Sequence, residues 1–320
     1  MTKKDRKPLS IGISACLLGD KVRWDAGHKK DRYITDMLAP YFRFIPVCPE
    51  VEVGMGVPRE SVRLVGDISS PRMVGNKTGE DWTERMREYI SKRLKQLEDY
   101  NFSGYILKKD SPSCGMERVR VYQKSGIPLK RGRGLFGGAL ADHFPNFPIE
   151  EEGRLNDPSL RENFIVRVYA YSRLQELFKS GFDRGEVVRF HSVHKYLLLS
   201  HSPKHYKILG QMVAQINRYK PDNFKEKYIE IFMFALKVKS TVLKNVNVMQ
   251  HIVGFLKPYL DKKAKSDIIR IIENYRAGLV PLIVPLTLIK HYINLYDIEY
   301  IKDQVYLDPH PEELMLRNHV

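Results

Sequence analysis

Three cysteines are the residues of this sequence best suited to holding a metal: Cys16, Cys48 and Cys114, with no fourth in the chain. Thiolates are ligands of zinc and of the iron in iron–sulfur clusters. Their separations lack the CxxC spacing that marks zinc sites and ferredoxin loops. Free cysteine is also among the most buried residue types. Spacing alone therefore favours buried thiols over a metal centre.

Each cysteine lies where an apolar, strand-like run meets a turn. Cys16 lies near the end of LSIGISACLL, Cys48 is the last residue of FRFIPVC, and Cys114 follows GYILKKDSPS. In a parallel sheet the strand ends at one edge converge, and ligands bind there. Three such ends could therefore bring the three thiols to one point.

The predicted fold class is α/β, a Rossmann-like parallel sheet with helices on both faces, followed by an all-α C-terminal domain. The α/β part has strands at 9–16, 43–48, 102–109 and within 145–155, and helices at 34–41 and 80–100. The segment 50–66 is predicted to be a loop, because glycines and Pro58 interrupt it.

Beyond residue 157 nearly every segment has helical character. Asp157 before Pro158 is a strong helix start, with Asp as N-cap and Pro in the first turn. Helices are predicted at 158–180, 184–200, 203–219, 222–240, 242–257, 261–277 and 284–296. We therefore expect an α/β domain at 8–155, a basic all-α domain at 156–305 and an acidic, loosely held tail at 306–320.

The charge of the chain is strongly positive, with 53 Lys and Arg against 38 Asp and Glu and a net charge of +15. Residues 201–290 hold 16 of the basic residues and 6 of the acidic ones. Such a region favours a polyanionic partner such as nucleic acid, although a solvated cationic surface has the same composition.

The expected location is cytoplasmic, with no membrane partner. No signal peptide is evident at the N-terminus. The longest apolar run, 278–289, is too short to cross a bilayer and contains two prolines. An odd number of cysteines argues against a disulfide framework.

Two basic motifs in the α/β part admit more than one interpretation. Arg59, Glu60 and Arg63 form either a solvated ion-pair cluster or an anion-binding group. The G-x-G-x-x-G motif at 132–137 has the spacing of dinucleotide folds, but no clean strand precedes it and no ribose-binding acid is evident. We favour a helix N-terminus that donates backbone N–H groups to an anion.

Four histidines lie close together in the helical domain. His191 and His194 share one helical face, which would suit zinc, but no carboxylate or cysteine lies nearby. Packing, hydrogen bonding or phosphate contact is therefore favoured for them. His201, Lys204 and Lys207 are predicted contacts with an RNA backbone.

Three motifs carry a family resemblance. SACLLG at 14–19, VCPE at 47–50 and SPSCG at 111–115, in this order, resemble the TudS family, the 2-thiouracil desulfidases. The segment FHSVHKYLLLSHSPKHYKILG resembles the helical domain of YbgA-like proteins. Their combination is similar to the RudS-type desulfidases, which convert 4-thiouridine in tRNA to uridine.

The TudS resemblance implies a 4Fe–4S cluster with three cysteine ligands, Cys16, Cys48 and Cys114, and one open iron. An open iron is a Lewis acid that binds the sulfur of a thiocarbonyl. Water then adds at C4 of the pyrimidine and sulfide leaves, without net redox chemistry.

This chemistry needs acid–base assistance. Glu50, two residues beyond Cys48, is the candidate, although an ion-pair or capping role would suit the same position. Ser111 and Ser113 are candidates to orient the water or the base, or to shape the turn. Asp25 is a weaker candidate.

Three functions remain open: a tRNA 4-thiouridine desulfidase, a desulfidase of free thiopyrimidines such as 2-thiouracil, and a non-catalytic RNA-binding protein with a structural metal site. A free base needs no basic surface, whereas tRNA does. We therefore favour tRNA, with the target base turned out of its stack. Arg59 and Arg63 are further candidate RNA contacts.

Overall fold

The structure is a computed structural model that describes residues 8–320. It divides into two compact units, with the boundary between Asn156 and Asp157. The first unit is α/β and the second all-α, which confirms the predicted fold class. Within the described range, the helices are all too short or too polar to cross a membrane.

The α/β unit contains eight strands and three α-helices among its described residues. The strands are β1 (Leu9–Ser14), β2 (Phe42–Val47), β3 (Val62–Val65), β4 (Arg72–Gly75), β5 (Gly104–Leu107), β6 (Val119–Tyr122), β7 (Pro128–Gly132) and β8 (Ile149–Glu151). The helices are α1 (Pro49–Glu52), α2 (Thr83–Glu98) and α3 (Leu135–His143), with a π-helical turn at Tyr33–Leu38.

The first sheet has the strand order β2-β1-β5-β8, and all its paired strands are parallel. Its central strands are apolar and buried, as expected when a parallel sheet is covered on both faces. The carboxyl ends of β2, β1 and β5 are neighbours at one edge. These are the three strands that precede the cysteines.

A second sheet, of order β4-β3-β6-β7, was not predicted. The strands β3 and β6 are parallel, and the other two pairings are antiparallel. The prediction of a loop at 50–66 was therefore wrong, because this segment contains α1 and β3. A strand, β7, also leads directly into the glycine-rich motif. These strands have four or five residues each and lie between glycine-rich turns, so their alternation of apolar and charged residues is too short to stand out.

The second unit consists of helices whose bounds lie close to those predicted. They are α4 (Pro158–Lys179), α5 (Arg184–His201), α6 (Pro203–Ala214), α7 (Pro221–Lys237), α8 (Val242–Leu256), α9 (Lys262–Arg276), α10 (Ile283–Leu295) and α11 (Glu299–Lys302). The Asp157 side chain accepts a hydrogen bond from the backbone N–H of Leu160 at 2.9 Å, which confirms the predicted helix start.

The expectation that residues 306–320 are loosely held was wrong. Tyr306, Leu314 and Leu316 are buried. Arg317 is buried too: its Nη1 donates to the carbonyl of Tyr306 at 2.7 Å, and its Nε donates to Glu162 at 3.1 Å. The apolar residues and the buried arginine hold this segment in place despite its acidic composition.

Candidate functional site

The candidate site is a cavity of about 320 Å³ at the carboxyl edge of the first sheet. The cavity lining includes every cysteine and three of the four candidate acid–base residues. These are Cys16, Cys48, Glu50, Ser111, Ser113 and Cys114. Residues separated by up to 98 positions in sequence therefore share one space.

The local structure after each strand positions its cysteine. After β1, Cys16 lies in a single 3₁₀ turn, Ala15–Leu17. After β2, Cys48 is the extended N-cap residue of α1, and the proline at the first position of this helix fixes the turn that follows. Cys114 lies in the loop between β5 and β6.

Burial raises the pKa of all three thiols. Burial raises the pKa of Cys16 to about 11, with a second contribution from the nearby Cys48. Burial likewise raises the pKa of Cys48, and Glu50 adds to the shift. The pKa of Cys114 is raised most, first by burial, and then by Glu50 and both other cysteines. At neutral pH the unligated thiols are therefore protonated.

Glu50 is held by a guanidinium group. Arg59 donates from Nε and Nη2 to one oxygen of this carboxylate, Oε2, with an Nε–Oε2 distance of 3.2 Å. The Nη1 atom of Arg59 is itself fixed, because it donates to the carbonyls of Val22 at 3.1 Å and Gly56 at 2.9 Å. Arg59 is 6% exposed at its side chain. These contacts allow Arg59 to orient Glu50. The prediction that Arg59 contacts RNA is corrected, because its side chain is buried and bound to groups of the α/β unit.

The two serines have different hydrogen bonds. Ser113 Oγ donates to Glu50 Oε1 at 2.6 Å and lies 3.9 Å from the sulfur of Cys114. Ser111 Oγ accepts from the backbone N–H groups of Cys114 at 3.1 Å and Ser113 at 3.3 Å, and it lies 3.0 Å from Ser113 Oγ. Ser111 thus shapes the loop between β5 and β6 that carries Cys114, which we call the cysteine loop. Ser113 connects the carboxylate of Glu50 to the thiol of Cys114.

The N-terminus of α3 packs against the cysteine loop. The N–H groups of Phe136 and Gly137 both donate to the carbonyl of Ser113, at 2.9 and 3.0 Å. A Cβ atom on Gly137 would lie 2.2 Å from the carbonyl oxygen of Cys114. The interpretation of this glycine motif as an anion-binding helix terminus was therefore wrong. The glycines permit close approach of α3 to the loop that carries Cys114.

Sequence reasoning did not assign Ser14 and Lys108 to the site, and Trp24 lines the same cavity. Ser14 Oγ accepts from the N–H of Lys108 at 2.9 Å, and its hydrogen bond to Cys114 opposes the rise in the pKa of that thiol. Lys108 pairs with Glu152 at 2.5 Å. Trp24 is 45% exposed and offers an aromatic surface. For Ser14 and Lys108, a position within or close to a cysteine motif was the only signal in the sequence.

The other residues predicted to contact RNA differ in their exposure to solvent. Arg63, Lys204 and Lys207 are exposed. His201 is only 4% exposed, its Nδ1 lies 2.8 Å from the carbonyl of Val238, and burial lowers its pKa to about 4. Its predicted contact with RNA is therefore corrected, because a buried neutral imidazole offers nothing to a phosphate. Asp25 is absent from the residues described as lining the cavity.

The histidine pair on α5 is part of the helical core. His191 Nδ1 lies 3.1 Å from the hydroxyl of Tyr228. His194 Nδ1 lies 2.7 Å from the carbonyl of Phe190, and the two rings stack at 3.9 Å. These contacts support the interpretation of packing and hydrogen bonding over zinc binding.

A single metal ion and an iron–sulfur cluster need different arrangements of their thiolate ligands. Among residues 8–320, no three His, Cys, Asp or Glu side chains form a group that could hold one metal ion. A zinc ion needs all its sulfur ligands at about 2.3 Å from one point. An iron–sulfur cluster takes its thiolates on different irons, so it accepts ligands spaced around a cage. The three thiols that line this one cavity are the type of ligand that such a cluster takes.

Comparison with known proteins gives two family matches. The family model for 2-thiouracil desulfurase matches residues 11–152, and that for a protein of unknown function, DUF1722, matches residues 195–311. The uncharacterized protein YbgA of Escherichia coli (strain K12) is 30% identical over 158 residues, which are 49% of this chain and 94% of YbgA. The uncharacterized protein YbbK of Bacillus subtilis (strain 168) is 32% identical over 152 residues, which are 46% of this chain and 98% of YbbK.

The chain belongs to the TudS-type desulfidase family. It joins a TudS domain to a YbgA-like domain, as the sequence motifs predicted. The solved structures include a 4Fe–4S-dependent thiouracil desulfidase, TudS, that is 28% identical, with a TM-score of 0.38, over 47% of this chain and 94% of that one.

Proposed function

We propose that this chain converts 4-thiouridine in tRNA to uridine and sulfide, with a 4Fe–4S cluster held by Cys16, Cys48 and Cys114. The observation that carries the proposal is the convergence of these three thiols with a carboxylate and a hydroxyl in one cavity. The net reaction is hydrolysis: a C–S bond breaks, a C–O bond forms, and no electrons are gained or lost.

When bound, the cluster supplies an open iron that acts as a Lewis acid for the sulfur of the thiocarbonyl. The residues of the chain supply the proton transfers. Glu50 Oε2 is engaged by Arg59, so Oε1 is the oxygen left to accept a proton from the attacking water. Because the thiol of Cys114 lies 3.9 Å from Ser113 Oγ, this hydroxyl joins the carboxylate to the sulfur-lined end of the cavity. Ser113 can therefore pass a proton from Glu50 towards the leaving sulfide.

The choice of tRNA over a free thiopyrimidine is supported by charge. Within the helical unit, residues 201–290 hold 16 Lys and Arg against 6 Asp and Glu, and Lys204 and Lys207 on α6 are exposed. Contacts with phosphate are independent of base sequence and suit a substrate recognised by its backbone and shape. In this proposal the YbgA-like unit binds the tRNA and the α/β unit performs the chemistry.

The deciding experiment is nucleoside analysis of thiolated tRNA after anaerobic incubation with cluster-reconstituted protein. We expect 4-thiouridine to be lost, uridine to be gained and one sulfide to be released per base. Free 2-thiouracil is tested in parallel, and protein without iron is the control. Turnover of the free base with unchanged tRNA would reject the tRNA substrate but retain the desulfidase.

A further inference from the structure

The second sheet has one buried face and one charged face. Leu64 of β3, Met73 of β4 and Val121 of β6 are fully buried, and the strand register places them side by side. Successive side chains in a strand point to opposite faces. The residues on either side of these three therefore share the other face. On that face the arginines are exposed, Val65 and Tyr122 are partly buried, and Val74 is buried.

The exposed charged side chains of that face are basic. Arg63 on β3, Arg72 on β4, Arg120 on β6 and Lys130 on β7 are all exposed, and the ring of Tyr122 lies among them. We call these five residues the cationic sheet face. The guanidinium carbon of Arg63 lies 5.4 Å from the centre of the Tyr122 ring.

Most of these cations lack an acidic partner. Arg72 pairs with Asp81 at 3.2 Å. For Arg63, Arg120 and Lys130, the part of the chain that the structure describes provides no ion pair. Arg120 also lies directly opposite Lys130 across the ladder. Like charges at directly opposed positions destabilise a sheet, and an anion between them relieves the repulsion.

The cationic sheet face adjoins the cavity through the chain itself. Ser61 and Val62 line the cavity, and Arg63 is the next residue of β3. On the neighbouring strand, Arg120 lies six residues beyond Cys114. A polyanion bound here would therefore lie close to the site where the sulfur is removed.

We propose that the cationic sheet face binds the sugar–phosphate backbone of the RNA beside the target nucleotide, with Tyr122 available to stack on an unpaired base. This inference rests on the proposed function, and it adds a second RNA contact on the α/β unit. Cations that follow a backbone, combined with an aromatic ring, are the combination that binds single-stranded nucleic acid without sequence preference. An acidic protein segment would satisfy the cations but would leave the ring unused.

The test measures binding of an unthiolated tRNA transcript to the full chain over a series of salt concentrations. The variant carries Arg63→Gln, Arg120→Gln and Lys130→Gln. The control variant carries Arg87→Gln, Lys92→Gln and Lys95→Gln, which remove the same charge from exposed positions on α2. Thermal unfolding of both variants verifies that they are folded.

We expect the sheet variant to bind at least tenfold more weakly at low salt, with the slope of log affinity against log salt smaller by about 3, one for each lost phosphate contact. Equal binding by the two variants would overturn the inference while leaving the proposed function intact. If the unsubstituted chain does not bind tRNA, the proposed function fails as well, since binding requires neither cluster nor sulfur.

Discussion

Arg59 binds only one of the two carboxylate oxygens of Glu50. Both donors of its guanidinium edge point at Oε2, and the other oxygen accepts the hydroxyl of Ser113 at 2.6 Å. The guanidinium is anchored in turn by two backbone carbonyls. The two oxygens of this carboxylate are thus distinguished: Oε2 is held by Arg59, and Oε1 is the oxygen that the proposed reaction uses for proton transfer.

Replacement of Glu50 by glutamine keeps the shape of the side chain and removes its capacity to take a proton. We expect Glu50→Gln to lower sulfide release by a factor of about 10²–10⁴, the usual contribution of a positioned acid–base group. Iron content after reconstitution should stay at the level of the unsubstituted protein, because an amide leaves the thiols in place. Glu84→Gln, on the exposed face of α2, is the control. Unchanged sulfide release by the Glu50 variant would exclude its catalytic role.

Arg59→Lys tests orientation separately from charge. Lysine keeps the positive charge but loses the planar fork that reaches Glu50 and two carbonyls together. We expect kcat to fall by about ten- to hundredfold, as for a misplaced catalytic group, with KM and iron content little changed. Arg87→Lys serves as the matched control. A rise in KM at constant kcat would instead assign Arg59 to substrate binding.

Loss of any one cysteine should prevent assembly of the cluster. Cys16→Ala, Cys48→Ala and Cys114→Ala are each expected to abolish the brown absorbance and the bound iron after anaerobic reconstitution, because the cage would lose one of three protein ligands. Ser91→Ala, at an exposed position on α2 far from this loop in sequence, is a suitable control. Full iron retention by any cysteine variant would remove that residue from the ligand set.

The arrangement of the cysteines could be predicted because it follows from one sheet. The parallel strands that precede Cys16, Cys48 and Cys114 have their carboxyl ends at the same edge if they are neighbours, and β2, β1 and β5 are neighbours. The helices of the second unit could also be predicted from the sequence, since they begin at strong signals such as Asp157 and Pro158. Long segments with a clear hydrophobic period and clear end signals contain enough local information for their secondary structure to be predicted.

The role of Arg59 and the second sheet depended on contacts that sequence spacing does not encode. Arg59 lies in a turn-rich segment, and its partner carboxylate is fixed only once α1 has packed. The paired Arg120 and Lys130 lie on strands too short for their alternation to be recognised. His201 looked accessible among lysines, yet its side of the helix is buried.

Gly137 is predicted to be required because there is no room for a side chain between α3 and the cysteine loop. Gly137→Ala would place a Cβ atom 2.2 Å from the carbonyl oxygen of Cys114, a backbone atom that cannot move aside without displacing the cysteine loop. We expect a loss of about 1–3 kcal/mol in stability and a reduced iron content. The adjacent Gly138→Ala is a close control, since its Cβ would meet nothing nearer than 3.4 Å. Equal iron loading by both variants would contradict this packing argument.

Acid should destabilise the helical unit through its buried histidines. Burial lowers the pKa of His191 and His201 to about 4 in the folded chain, against about 6.5 when exposed. The unfolded chain therefore binds more protons than the folded chain between these two values, so stability falls as the pH drops from about 6.5 and levels off below about 4. Each histidine contributes at most about 1.4 kcal/mol per pH unit.

His201→Asn isolates one of these contributions. The imidazole Nδ1 lies 2.8 Å from the carbonyl of Val238, and because the ring is neutral this nitrogen must carry the proton that it donates. An asparagine amide can donate the same hydrogen bond but does not titrate. We therefore expect the variant to lose less stability than the unsubstituted chain between pH 6.5 and 4, measured by urea unfolding at a series of pH values. His251→Asn, at an exposed position on α8, is the matched control. Identical pH dependence in the two variants would show that His201 is not one of the groups that couple folding to protonation.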